Sequence, residues 1–150
     1  MRCIRRSPAL LACFLFGCVS QLTPSSFFVP DQQIEVADLE RALATQGMTP
    51  DRVDTRAGIV ETPWEDTGRN SDGTTWVTRY LITLSVREGA SDVTVAMDLR
   101  TCERAPLSGR VDGSSCARVP DGMTPTMYQD RLDAFAARLR TSLGGIPVSS

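Results

Sequence analysis

The chain has 150 residues, with 16 basic and 18 acidic side chains and no histidine. Every basic residue is an arginine, so neither an imidazole nor a lysine amine is present for chemistry. That excludes Ser-His-Asp and Cys-His nucleophiles, a P-loop lysine, serine-lysine hydrolases and the usual zinc sites.

The chain begins with a basic segment at Arg2, Arg5 and Arg6, then an apolar run from Ala9 to Phe16, closed by Leu15-Phe16-Gly17-Cys18. That order is the pattern of an export signal. The apolar run is too short to cross a bilayer, which takes roughly 20 residues. The stretch resembles the signal peptides of bacterial lipoproteins, whose lipobox sets Leu three places before a lipidated Cys, with a small residue and then Gly or Ala between them. Leu15, Gly17 and Cys18 match, whereas Phe16 is bulkier than the pattern prefers. The resemblance implies loss of residues 1–17 and a lipid on Cys18. Leu10-Leu11-Ala12-Cys13 also fits the lipobox but leaves a much shorter apolar core, and cleavage without lipid, for example after Ser20, is the alternative. In Gram-negative hosts, lipoproteins lacking Asp directly after the lipidated Cys are as a rule sent to the outer membrane, and Val19 fits that, so the location the resemblance implies is the outer membrane facing the periplasm.

Beyond residue 17 the chain is about 130 residues long, a single-domain length. This portion carries 13 arginines against 18 acids, a net charge of −5, with no basic run. Such a chain has no electrostatic footprint for nucleic acid and does not lie flat on anionic lipid. Cys3 and Cys13 leave with the signal, which leaves Cys102 and Cys116 as the thiol pair. In an oxidising compartment the simplest reading is a disulfide, and its ring of about 15 residues is worth roughly 3 kcal/mol. A reactive or metal-binding pair is the competing reading, but it lacks a third thiol or a histidine. No metal and no cofactor are expected.

Residues 18–26 read as a tether, of which the eight residues Val19 to Ser26, a mostly polar and Pro-containing stretch, reach at most about 28 Å. Phe27-Phe28-Val29 predicts a short strand ahead of Pro30. Asp31 is the expected N-cap of a helix from Gln32 to Gln46, with Val36, Leu39, Ala42 and Leu43 on one stripe and Gly47 as its stop. Arg52 to Thr55 and Gly58 to Trp64 predict two strands about a turn, and Glu65 to Gly73 a polar loop. Within that loop, Asn70-Ser71-Asp72-Gly73 is the nearest approach to a calcium loop; Gly68 and Arg79 stand where acids are required, so a hairpin turn is expected. Thr75 to Arg87 alternates, with Trp76, Thr78, Tyr80, Ile82, Leu84 and Val86 on an apolar face and Val77, Arg79, Leu81, Thr83, Ser85 and Arg87 on a mostly polar one. Asp92 to Thr101 is its partner across a turn at Glu88 to Ser91, and turns Val93, Val95, Met97 and Leu99 inward. Glu103 to Met123 has no period, and the Cys102–Cys116 bridge is expected to pin it to the sheet. Thr124 and Pro125 predict the N-cap and first position of a final helix, striped by Tyr128, Leu132, Phe135, Ala136, Leu139 and Leu143. Gly144-Gly145 ends it, leaving 144–150 as a tail.

The pattern predicts an α+β fold: a two-layer sandwich with an antiparallel sheet of four or five strands and two helices on one face, in the order β-α-β-β-β-β-α, over residues 27–143. Carboxylates at Glu61, Glu65 and Asp66 lie close in sequence and are of the type glycosidases use, although acids at strand ends are more commonly solvated surface. Trp64, beside Pro63, is a candidate interface anchor, whereas Trp76 is expected in the core. Arg100, Arg104, Arg110 and Arg118 gather near the long loop and could dock an acidic partner, a scattered surface being the plainer reading.

The lipobox, short strand, Gly-ended helix, Gly58-Ile59-Val60-Glu61-Thr62-Pro63-Trp64 stretch, long hairpin and closing helix together look like small Gram-negative envelope lipoproteins. In pattern, residues 27–143 resemble the α/β domain of the BamC (NlpB-type) lipoproteins, accessory members of the outer-membrane β-barrel assembly complex. That resemblance implies a non-enzymatic, lipid-tethered binding or scaffolding module with an envelope protein partner. The alternative is a periplasmic carrier or sensor holding a small apolar ligand between sheet and helices.

Overall fold

The computed structural model describes residues 22–103, 112–120 and 122–147. Cys18, Arg104 and Arg110 lie outside the described residues. In chain order the elements are β1 (Ser25–Pro30), α1 (Val36–Thr45), β2 (Arg52–Asp54), β3 (Ile59–Glu61), β4 (Glu65–Arg69), β5 (Thr75–Arg87), β6 (Ala90–Cys102), a 3-10 turn at Gly113–Ser115, β7 (Ala117–Arg118), α2 (Thr126–Leu143) and β8 (Ile146–Pro147). The fold is α+β with a large antiparallel sheet, but the sheet has eight strands where four or five were expected. Its order is β2-β3-β5-β6-β1-β8, with β4 also on β5 and β7 on β6.

The β5–β6 hairpin is the frame on which the rest is hung. Its register runs without a break from Thr75↔Cys102 to Arg87↔Ala90, so the turn is only Glu88-Gly89, shorter than the predicted Glu88 to Ser91. Gly89 takes φ +74°, a left-handed conformation open to glycine at little cost. Ser91 is thereby drawn into β6 and buried, where its hydroxyl accepts from Ile34 N at 2.9 Å and donates to Gln32 O at 3.2 Å.

That anchor explains why the first helix starts later than predicted. Residues 32–35 take no regular structure and are tied to β6 through the Ser91 hydroxyl, with Ile34 buried in the core, so the helix begins at Val36. The cap is Glu35 in place of Asp31: Glu35 N donates to Asp38 Oδ2 at 2.8 Å, the second half of a capping box. Asp31 instead takes φ +54°, turning the chain out of β1. The second helix is capped by Pro125 and starts one residue past the predicted position, and Gly144 ends it at φ +69°.

Directly paired residues of an antiparallel sheet share a face. Phe27↔Val93, Leu84↔Val93, Ile82↔Val95, Tyr80↔Met97 and Val60↔Ile82 therefore place one apolar layer on one side. Leu39 and Leu43 of α1 and Leu132, Phe135 and Leu139 of α2 close over it in a single cluster, each fully buried. The Phe135 and Tyr80 rings stack at 3.8 Å and 7°. Burial pushes the Tyr80 phenol above its ordinary value. Trp76, expected in the core, is only partly buried and stacks on Tyr128 at the edge of the cluster, 5.4 Å between centroids.

The three unpredicted strands are β4, β7 and β8. Strand β4 replaces the expected polar loop: its Thr67 hydroxyl bonds Trp76 O at 3.1 Å and lies 3.2 Å from the Tyr128 hydroxyl. The bulge between Asp66 and Gly68 accommodates the one irregularity. Ile146 and Pro147, expected in a frayed tail, pair with Phe28 and Phe27 of β1. The structured unit also starts before the expected boundary, since Leu22 packs on the core and Thr23 exchanges two hydrogen bonds with Gln129, at 2.8 and 3.1 Å.

Candidate interaction surface

The helix-free face of the sheet holds the densest polar construction among the described residues. Strand parity creates it: Arg79↔Asp98 and Val77↔Arg100 are paired on the side opposite Tyr80 and Met97, with Glu61↔Leu81 beside them. The charges alternate in sign across four strands. Arg52 of β2 reaches Glu61 of β3 at 3.4 Å, Glu61 binds Arg79 of β5 at 2.5 Å, and Arg79 lies 3.5 Å from Asp98 of β6. Asp98 in turn is gripped by Arg100 through two bonds, Nε–Oδ1 at 3.2 Å and Nη2–Oδ2 at 3.0 Å.

Trp64 sits on this ladder. The Arg79 guanidinium carbon is 4.7 Å from its ring centroid and that of Arg100 5.0 Å, two cation–π contacts on one indole. Gly113 closes over the same ring, so tightly that a Cβ there would fall inside contact distance of the indole carbons. Arg100 holds that segment in place by donating to Gly113 O at 3.1 Å and Ser114 O at 2.9 Å. Cys102 and Cys116 are joined as expected, with Cα atoms 4.8 Å apart, and β7 pairs Ala117 with Thr101. Beneath this cover Thr75 and Val77 are fully buried, a small second core on the face opposite the helices.

The predicted site residues are redistributed by this geometry. Trp64 is half-buried, its ring shared between two guanidinium groups and a glycine. Arg100 does not stand free as part of a docking cluster, because Asp98 and two loop carbonyls occupy it; Arg118, opposite it on β7, is exposed. The carboxylate trio is divided. Glu61, expected at the surface, is buried between Arg52 and Arg79, whereas Glu65 and Asp66 are exposed on β4. Arg79, Asp98 and Gly113 were not singled out from the sequence. The legible signal was the opposite charge of Arg79 and Asp98 at outward positions of two adjacent strands.

Asn70 to Gly73 forms the expected turn, with Gly73 N donating to Asn70 O at 3.0 Å. Asp72 accepts from the Thr74 hydroxyl and amide at 2.7 and 2.9 Å, which holds its carboxyl below the ordinary range. Among the described residues no group of three or more Cys, Asp or Glu is arranged to hold a metal ion.

Two open grooves flank the sheet. One, of about 410 Å³, is lined by Leu22, Met97, Leu99, Arg118, Val119 and Thr124 among others, where β1 and β7 leave a gap along β6. The other, of about 720 Å³, lies toward the Glu88-Gly89 turn, between the start of α1 and the β2–β3 turn, with Ile34, Val36, Leu84 and Val86 as its apolar lining. No protein-family model matches the chain, and no curated protein is significantly similar to it.

The ladder yields a direct expectation. Glu61→Ala removes the anion between two arginines and is expected to cost about 2 kcal/mol, below the value for a fully buried pair because Arg79 keeps some water contact. Combining it with Arg79→Met is expected to restore most of that loss. Urea denaturation midpoints of both single variants and the double measure this; a double-variant loss equal to the sum of the two single losses would mean that the two residues are not coupled.

Proposed function

We propose that this protein is a non-enzymatic, lipid-anchored envelope lipoprotein that works as a binding or scaffolding module in the periplasm, held at the outer membrane through Cys18. The observation that carries the reading is the basic, apolar, Leu15-to-Cys18 order at the start of the chain, with a disulfide-linked Cys102–Cys116 pair further on, as an oxidising compartment favours. Among the described residues no helix is long and apolar enough to cross a membrane, so attachment in this reading falls to the lipid.

The packing supports a binding module over a ligand carrier. The space between sheet and helices is filled by Leu39, Leu43, Ile82, Val95, Leu132, Phe135 and Leu139, all without solvent exposure, and the two grooves open at the surface. The 720 Å³ groove, with Val86 half exposed at its rim, offers a partner an apolar seat bordered by Glu35, Glu40 and Arg56. The resemblance in pattern to BamC-type lipoproteins points the same way, toward a small α+β module presented to other envelope proteins.

Cys18→Ser tests the anchor. The full chain is expected in the membrane fraction and the variant in the soluble periplasmic fraction. Retention of the variant in the membrane would remove the lipoprotein reading. For the binding role, pull-down of the native lipoprotein from detergent-solubilised membranes is expected to recover a reproducible envelope partner, and repeated recovery of none would count against scaffolding.

A further inference from the structure

The position of Leu22 fixes where the anchor leaves the domain. Its side chain packs against the core and lines the smaller groove with Val119 and Thr124, while Thr23 is tied to Gln129 of α2 by two hydrogen bonds. Residues 22–26 are thus part of the fold, and of the expected eight-residue tether Val19, Ser20 and Gln21 lie outside the described residues. From Leu22 to Cys18 the chain spans at most about 14 Å, half the reach expected from the sequence.

Leu22 emerges beside Met97 to Leu99, in the half of the β5–β6 hairpin nearer its Thr75–Cys102 end. Tyr128, at the start of α2, stacks on Trp76 near the start of β5, and one to two turns of helix later Phe135 stacks on Tyr80. Helix α2 therefore runs alongside β5 in the same direction, away from the Leu22 end and toward the Glu88-Gly89 turn. Two of the most exposed large apolar side chains are at that same end: Met123 at 69% and Met127 at 53%, flanking Thr124 of the Leu22 groove. Flexible, unbranched methionines suit an irregular apolar surface. Arg118, also exposed, lines the groove beside them.

We infer that the bilayer surface itself covers this end, with Met123 and Met127 seated in the headgroup region next to the lipidated Cys18, so that the domain stands end-on with its long hairpin directed into the periplasm. This rests on the lipoprotein reading of Cys18. The short link permits little else: an anchor within about 14 Å of Leu22 keeps this end at the interface, where apolar side chains gain by leaving water. A net charge of −5 opposes broad contact with anionic lipid and favours a small footprint in which Arg118 meets phosphate. The Glu88-Gly89 turn would then stand about 30 Å further out than Leu22, nine residues on from Arg79 at 3.3 Å per residue along β5. The 720 Å³ groove, lined by Leu84 and Val86, is carried out with it, available to a partner.

The test uses the lipidated full chain reconstituted in vesicles of phosphatidylethanolamine and phosphatidylglycerol, with an environment-sensitive fluorophore on Met123→Cys, Met127→Cys or Glu88→Cys. Quenching by spin-labelled headgroups is expected to be several-fold stronger at positions 123 and 127 than at 88. Equal quenching at all three, in protein that still floats with the vesicles, would overturn the seating and leave the anchor standing. Failure of the unlabelled full chain to float would overturn the anchor and the seating together.

Discussion

Replacement of Cys102 and Cys116 together by serine is expected to cost about 3 kcal/mol and to uncover Trp64. The first effect is the freedom that the unfolded chain regains when a ring of 14-residue separation is opened. The second is local. The segment that covers the indole, at Gly113, lies inside that ring, and besides the bridge its described contacts include two hydrogen bonds from Arg100, the short β7 pairing and Val119 N on Leu99 O. Once the bridge is gone, these contacts must bear the whole cost of ordering the segment, at about 1–2 kcal/mol per residue for backbone alone. A drop in the urea midpoint with a red-shifted, more readily quenched tryptophan emission is the expected result. An unchanged midpoint and emission would show that the cover stands without the disulfide. Trp76, stacked on Tyr128 on the other face, makes Trp64→Phe the necessary background for assigning the signal.

Phe135→Ala is expected to be the most damaging single change, at about 4 kcal/mol. The ring is fully buried, faces Tyr80 in parallel at 3.8 Å, and sits where α2 crosses the centre of the sheet. Its removal leaves a void bounded by β5 and by a helix secured at both ends, by the Tyr128 stack on Trp76 and by the pairing of β8, directly after the helix, with β1, so collapse into the space is limited. Against a typical stability of about 5–15 kcal/mol, that loss lowers the melting temperature steeply. Calorimetry against wild type measures it, and Phe135→Leu, which keeps most of the volume, is expected to lose well under half as much.

The parts of this fold that could be read from the sequence are those whose side chains carry their own period. Thr75 to Arg87 and Asp92 to Thr101 alternate long enough to give both face and pairing, and the stripes of the two helices name the residues that close the core. The parts that could not be read take their structure from neighbours. Strand β4, Glu-Asp-Thr-Gly-Arg, has no apolar residue; it is a strand because β5 presents an open edge and because Thr67 finds Trp76 and Tyr128. Strands β7 and β8 are two residues each, too short for any pattern. Asp31 was a fitting N-cap by type, but the start of α1 was decided by Ser91, far along the chain, through its hold on Gln32 and Ile34. The site obeys the same rule. Trp64 stood out as a residue, while its partners Arg79, Arg100 and Gly113 come from three separate segments brought together by sheet register and a disulfide.

The pairing of β8 with β1 has a kinetic meaning. Phe27 and Phe28 meet Pro147 and Ile146, so the outermost strip of sheet joins residues separated by nearly the whole described chain, and β1 itself is matched to β6 across more than half of it. Local contacts can assemble the β5–β6 hairpin early, since its strands are linked by two residues, whereas closing the β1 edge carries the loop entropy of the longest separation among the described strand pairings. Until Ile146 and Pro147 arrive, the β1 backbone is a bare edge able to template another chain. The short final strand thus acts as a late-fitting guard, small in buried area yet placed where an unfinished molecule would otherwise be most prone to associate with its neighbours.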